Sequence, residues 1–223
     1  GANGTIRASA IQKNGKIIIG GNFYAYQYKS RNHIARLTKN GTIDNSFDPG
    51  TGLNGPVYGV AVQADGKILI GGDFTSYNST PVRNFIRVNT DGTLDNSFQI
   101  GNGADDVVNV IKVQSDGKII VGGNFQKMNG INTPALVRLN SNGTIDNSFV
   151  PHTLNGGSVQ SILTLSSGKI MIGGSFLFIE NGTYYMGVIR LNSNGSLDTS
   201  LKPLTNNETI YSITSQPDGK LII

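Results

Sequence analysis

The chain has 223 residues, of which 37% are hydrophobic, 14% are charged and 30 are glycine, with a formal net charge of +4. It contains no cysteine, which excludes disulfides, thiolate metal sites and cysteine nucleophiles. Its basic residues form no run of the kind that marks a nucleic-acid surface, and no segment approaches the ~20 apolar residues of a membrane span, so neither nucleic acid nor membrane insertion is expected.

In chain order, the sequence is one unit written four times and begun a fifth. A Gly-Gly pair recurs at Gly20-Gly21, Gly71-Gly72, Gly122-Gly123 and Gly173-Gly174, a step of 51 residues. A turn glycine keeps the same step at Gly15, Gly66, Gly117, Gly168 and Gly219. Self-similarity at one fixed period means a single repeat array. We place the units at about 5–52, 53–103, 104–155 and 156–206, with a partial unit over 207–223. The chain opens just before a strand and stops within one, so a fragment of a larger array is expected.

The second unit serves as the template. Strand a is Val57–Gln63, strand b Lys67–Phe74, strand c Phe85–Thr90 and strand d Thr93–Phe98. These are β-branched and aromatic runs bounded by Gly, Asp, Asn and Pro, and no window carries a helical period. The a–b turns (Ala64-Asp-Gly66 here) and the c–d turns (Thr90-Asp-Gly92) both suit three-residue hairpins, with glycine in the left-handed position. A three-residue c–d turn sets Asn89 opposite Thr93, Val88 opposite Leu94 and Arg87 opposite Asp95. The same count pairs Arg36 with Asp44, Arg138 with Asp146 and Arg190 with Asp198. Fourfold recurrence at one hairpin register assigns these pairs to the scaffold; cross-strand pairs contribute ~0.2–1 kcal/mol each.

Four short antiparallel strands in about 51 residues cannot cover both of their own faces and need neighbouring units. The expected fold is therefore all-β, a β-propeller of four-stranded antiparallel blades, with four complete blades and the start of a fifth. Gly-Gly after strand b lets a neighbouring chain approach closely. Phe23, Phe74, Phe125 and Phe176, with Phe47, Phe98 and Phe149 of strand d, fill the space between blades, and Leu201 replaces phenylalanine in the fourth unit.

The pattern Q-x-D-G-K-I-x-I-G-G-x-F followed by I-x-R-L-N-x-D-G-x-L-D-x-S-F resembles the delta-60 repeat of bacterial surface or secreted proteins and of phage proteins, over nearly the whole chain. The Gly-Gly ending strand b also resembles Kelch repeats, without their strand-d tryptophan. The resemblance implies a β-propeller and an extracellular, cell-surface or virion setting. It supplies no catalytic residue.

Strand alternation puts the tight a–b and c–d turns on one face and the b–c and d–a connections on the other. The latter differ among units, which is where specificity sits on a rigid scaffold. They carry Tyr24, Tyr26, Tyr28, Lys29 and Arg31 in the first unit, Tyr77 and Arg83 in the second, Lys127 and Met128 in the third, and Phe178, Glu180, Tyr184 and Tyr185 in the fourth. Exposed tyrosines beside basic residues suit a glycan or protein receptor, since tyrosine joins flat apolar area to a polar tip. Asp48, Asp105 and Asp106 read as strand caps or turn formers rather than calcium ligands, and His33 and His152 as packed or solvated side chains. The expected function is a non-enzymatic binding module, a surface adhesin or a phage tail or receptor-binding component that also contacts other domains or subunits of a larger assembly. The alternative is a structural platform or spacer, and a carbohydrate-active enzyme ranks third. No cofactor, metal or catalytic residue is expected.

Overall fold

The computed structural model describes residues 1–151, 154–202 and 208–223, and at 155 and 156 the backbone alone. His152 and the expected unit boundary at 206 lie outside the described residues. Unit 1 runs β1 (Thr5–Ile11), β2 (Ile17–Asn22), β3 (Ala25–Tyr26), β4 (Lys29–Ser30) and β5 (Ile34–Leu37). Unit 2 repeats this as β6 (Val57–Val62), β7 (Ile68–Gly72), β8 (Ser76–Tyr77), β9 (Thr80–Pro81) and β10 (Phe85–Val88). Unit 3 follows as β11 (Val108–Val113), β12 (Ile119–Gly123), β13 (Lys127–Met128), β14 (Ile131–Asn132) and β15 (Leu136–Leu139). Unit 4 has three long strands, β16 (Asn155–Thr164), β17 (Ile170–Glu180) and β18 (Thr183–Leu191), and β19 (Thr214–Ser215) and β20 (Leu221–Ile222) begin the fifth. No helix occurs among the described residues.

Each of the four units builds one antiparallel sheet in the order a-b-c, with strand b central. The a strands of successive units contact one another, β1 with β6, β6 with β11 and β11 with β16, so strand a forms the inner edge of the array. The joints follow from Gly-Gly: a Cβ on Gly71 would overlap the side chain of Val108 from the next unit, and Gly20 and Gly122 stand in the same relation to Val57 and Val159. Those three valines are fully buried. Phe23, Phe47, Phe74 and Phe125 are buried as expected, and Phe98, Phe149 and Phe176 nearly so.

Both tight turns have the expected form. Gly66 N–H donates to Gln63 O at 2.9 Å and Gln63 N–H to Lys67 O at 2.9 Å, with Gly66 at φ 86°. In the c–d turn Gly92 N–H donates to Asn89 O and Asn89 N–H to Thr93 O. Val88 bridges Leu94, and Asp95 N–H donates to Arg87 O at 3.0 Å.

Two features depart from the template. The fourth strand contributes a single bridge to strand c in each unit, so the observed sheets are three-stranded. The reason lies in the Asp-x-Ser sequence that follows. Asp95 Oδ1 accepts from Ser97 N–H at 3.0 Å, and Phe98 N–H donates to Asp95 O, which turns the chain away from the ladder. The b–c connections of units 1 to 3, expected as loops, are small hairpins. In unit 4 the hairpin continues the main sheet, closed by Asn181-Gly182 with both residues at positive φ, the conformation for which Asn-Gly is suited.

Candidate functional site

The densest cluster of charged groups lies at the tight-turn end. Arg36, Arg87, Arg138 and Arg190 donate through Nε to Asp44, Asp95, Asp146 and Asp198 at 2.6, 2.6, 2.7 and 2.6 Å. The lysine after each a–b turn joins the same carboxylate: Lys16, Lys67, Lys118 and Lys169 lie 2.8, 2.9, 2.8 and 2.6 Å from it. Ser46, Ser97, Ser148 and Ser200 donate to its other oxygen. For Asp44, Asp95 and Asp146 burial is the largest influence and opposes ionisation. The lysine, serine and arginine bonds together outweigh it and hold the carboxyls well below the usual carboxylate range. Asp198 is held low chiefly by Lys169.

The arginines of the first three units also reach the next unit. Arg36, Arg87 and Arg138 donate through Nη1 to the c–d turn carbonyls of Thr90, Ser141 and Ser193 at 2.5, 2.6 and 2.5 Å. Their guanidinium carbons stand 5.1, 4.3 and 4.5 Å from the ring centroids of Phe47, Phe98 and Phe149. Clefts of about 500 and 410 Å³ open between units 1 and 2 and between units 2 and 3 at this end. Their floor groups, Arg36 and Arg87, are already engaged by carboxylate and carbonyl. The lysine and serine members went unnoticed in the sequence, although Lys67 and Ser97 keep the repeat step as strictly as the arginine does.

At the other end the d–a segment of one unit pairs with the b–c hairpin that follows it: Ala2 bridges Tyr26, Leu53 bridges Tyr77 and Ala104 bridges Met128. Asn3, Asn54 and Asp105 each accept two hairpin N–H groups through Oδ1, at 2.9, 2.9 and 2.8 Å. Asp105 is thus a backbone cap, and Asp106 accepts from the N–H of Val107. Among the described residues no group of three or more His, Asp or Glu is placed to hold a metal ion.

The tyrosines divide by exposure. Tyr24 (61% exposed), Tyr28 (fully exposed) and Tyr184 (56%) face solvent. Tyr77 and Tyr185, expected as contact residues, are instead buried. The hydroxyl of Tyr77 donates to Gly92 O of the c–d turn, and burial pushes its pKa up. Tyr185 packs against Phe178 with centroids 5.9 Å apart. The correction has a physical cause: pairing with the d–a segment turns one side of the hairpin into the joint, and alternation decides which tyrosine goes there. Tyr26, half-buried, repeats the Tyr77 role by donating to Gly41 O at 3.0 Å. Lys29 is exposed and donates to Asn45 Oδ1 at 3.3 Å, Arg31 donates to Ser30 O at 2.8 Å, and Arg83 is exposed. In unit 4 Ile179 and Tyr184 lie opposite each other near the hairpin tip, both exposed. His33 is buried, with Nδ1 3.1 Å from Gly21 O, and burial lowers its pKa.

No curated protein matches the chain. Among solved structures it is similar to the WD40 β-propeller domain of Doa1, at 19% identity and TM-score 0.63, covering 99% of this chain and 60% of that one. It is likewise similar to a putative gluconolactonase, at 19% identity and TM-score 0.57 over 96% of this chain and 68% of that one. A streptogramin B lyase aligns at 15% identity and TM-score 0.54 over 97% and 74%. The chain thus spans about 60% of the Doa1 domain structure. These likenesses establish the β-propeller fold. A family model matches once in each unit, over residues 12–47, 63–98, 114–149 and 165–201, and the chain accordingly belongs to the β-propeller family described as a domain of unknown function, DUF5122.

Proposed function

We propose that this chain is a non-enzymatic β-propeller binding module that acts outside the cell, on a cell surface or a virion, as an adhesin or receptor-binding component. It contacts a surface glycan or protein receptor through its hairpin end. The observation that carries this reading is the division of labour among tyrosines. Tyr28 and Tyr184 are exposed at or beside the hairpin tips and Tyr24 at the base of its hairpin, edge-on to His33, while Tyr26, Tyr77 and Tyr185 hold the hairpins in place. Exposed tyrosine on a rigid hairpin offers contact area at low conformational cost. The repeated acidic groups are engaged by Lys, Arg and Ser, which leaves no free carboxylate among them for acid–base chemistry.

The test is retention of the labelled propeller on intact cells. Tyr24→Ala, Tyr28→Ala and Tyr184→Ala combined should cut retention at least tenfold with the melting temperature unchanged. Equal retention by the variant sinks the proposal and favours the structural platform, in which the tyrosines that matter are the packed ones, Tyr26, Tyr77 and Tyr185.

A further inference from the structure

Strand a bears a β-bulge at the same place in all four units. The pairing register slips between Ile6 and Ala8, between Val57 and Gly59, between Val108 and Val110, and between Val159 and Ser161. The residues passed over are Arg7, Tyr58, Asn109 and Gln160, and the same step of 51 leads to Tyr211 in the fifth unit. A bulge leaves its extra residue out of the ladder and re-aims that side chain. Immediately before it stands a constant apolar residue, and Val57, Val108 and Val159 fill the glycine notch of the preceding unit. The bulged residue itself differs from one complete unit to the next.

Because strand a is the inner edge, these side chains form one row across the units. Arg7 Cζ lies 5.3 Å from the ring centroid of Tyr58. Asn109 Nδ2 donates to Asn124 Oδ1 at 2.9 Å and reaches Ser158 Oγ and Val159 O of the next unit at 3.2 Å each. Gln160 Nε2 donates to Ser158 Oγ at 2.7 Å. Arg7 and Tyr211 are exposed, and Tyr58, Asn109 and Gln160 are half-buried.

We infer that this row is a binding site for a neutral saccharide lying along the inner edge of the propeller, separate from the hairpin end. A scaffold role would demand the same side chain in each unit, as the Arg–Asp pairs have. Here an invariant backbone device presents a different polar group each time. The Asn109 and Gln160 amide nitrogens are spent on the frame, which fixes their carbonyl oxygens as acceptors for neighbouring sugar hydroxyls, and the two tyrosines add flat apolar area beside them. A few convergent polar groups on a preformed frame are what orient a small ligand.

The probe is a printed array of neutral and acidic oligosaccharides, followed by titration calorimetry with the retained glycan. The intact chain should retain a neutral glycan. Tyr58→Ala and Gln160→Ala should each weaken it at least tenfold, whereas the combined Tyr24, Tyr28 and Tyr184 alanine variant should bind it like the parent. Arg7→Ala, at an exposed side chain, guards against loss through misfolding and should weaken binding at an unchanged melting temperature. Retention of no neutral glycan, or parental affinity in the inner-edge variants, overturns the inference. Loss in the hairpin variant alone also overturns it and leaves the hairpin reading standing.

Discussion

The two ends of each unit solve opposite problems with similar residue types. At the tight-turn end Lys, Arg, Asp and Ser recur four times, bonded to one another and, through arginine, to the next unit. At the hairpin end the hydrogen-bonding frame recurs while the side chains it displays do not: Tyr28, Ser79 and Gly130 occupy successive tips, and unit 4 abandons the bend for a straight hairpin. Charge density therefore marks scaffold in this molecule, and variety at fixed geometry marks positions whose side chains the scaffold does not dictate.

The sharpest way to break that contrast is acid. The four aspartates have folded-state pKa values below their unfolded values, near 3.9. They therefore add stability that is fully present above about pH 4 and is lost as pH falls further. His33 is held neutral by burial, so protonation of the unfolded chain erodes stability as pH falls below about 6.5. Melting curves from pH 7 to pH 2.5 should show a shallow decline and then a steep one below pH 4. A flat profile below pH 4 would contradict the scaffold role of the tight-turn end.

Next in size is the loss of one arginine. Arg87→Ala leaves a buried carboxylate with Lys67 as its one remaining cation and removes the bond to Ser141 of the next unit, a destabilisation of about 3 kcal/mol in urea unfolding. Arg190→Ala should cost about 1 kcal/mol, because its side chain is 21% exposed against 7% for Arg87. Equal losses at the two positions would mean that the joint to the following unit contributes nothing. The smallest effects separate the tyrosines. Tyr77→Phe strands the Gly92 carbonyl and should cost about 1 kcal/mol, while Tyr28→Ala should stay within about 0.5 kcal/mol.

Turn chemistry explains how much of this was legible beforehand. A glycine that must sit at positive φ in a three-residue turn fixes the count, and the count alone places Arg87 opposite Asp95. The end of strand d was not legible, because Asp95 both completes the pair and starts the Ser97 turn, and only the second role breaks the ladder. Nor was the fate of Tyr77, since its burial depends on Leu53, a residue of another connection 24 positions earlier. The bulges escaped because alternation through Val57–Val62 looks regular in one dimension, and the slip exists only relative to the partner strand.

The arginine that reaches the next turn has a consequence for how such chains change over time. The three joints between complete units are made of the same few atoms, so a complete unit excised whole, or copied whole, leaves a seam whose two sides still match. Stability in such an array adds up unit by unit and seam by seam. Copy number can therefore drift by unequal recombination without unfolding the protein. The register that survives each exchange also carries the variable tips and bulge residues to new neighbours, which shuffles the display while leaving the frame alone.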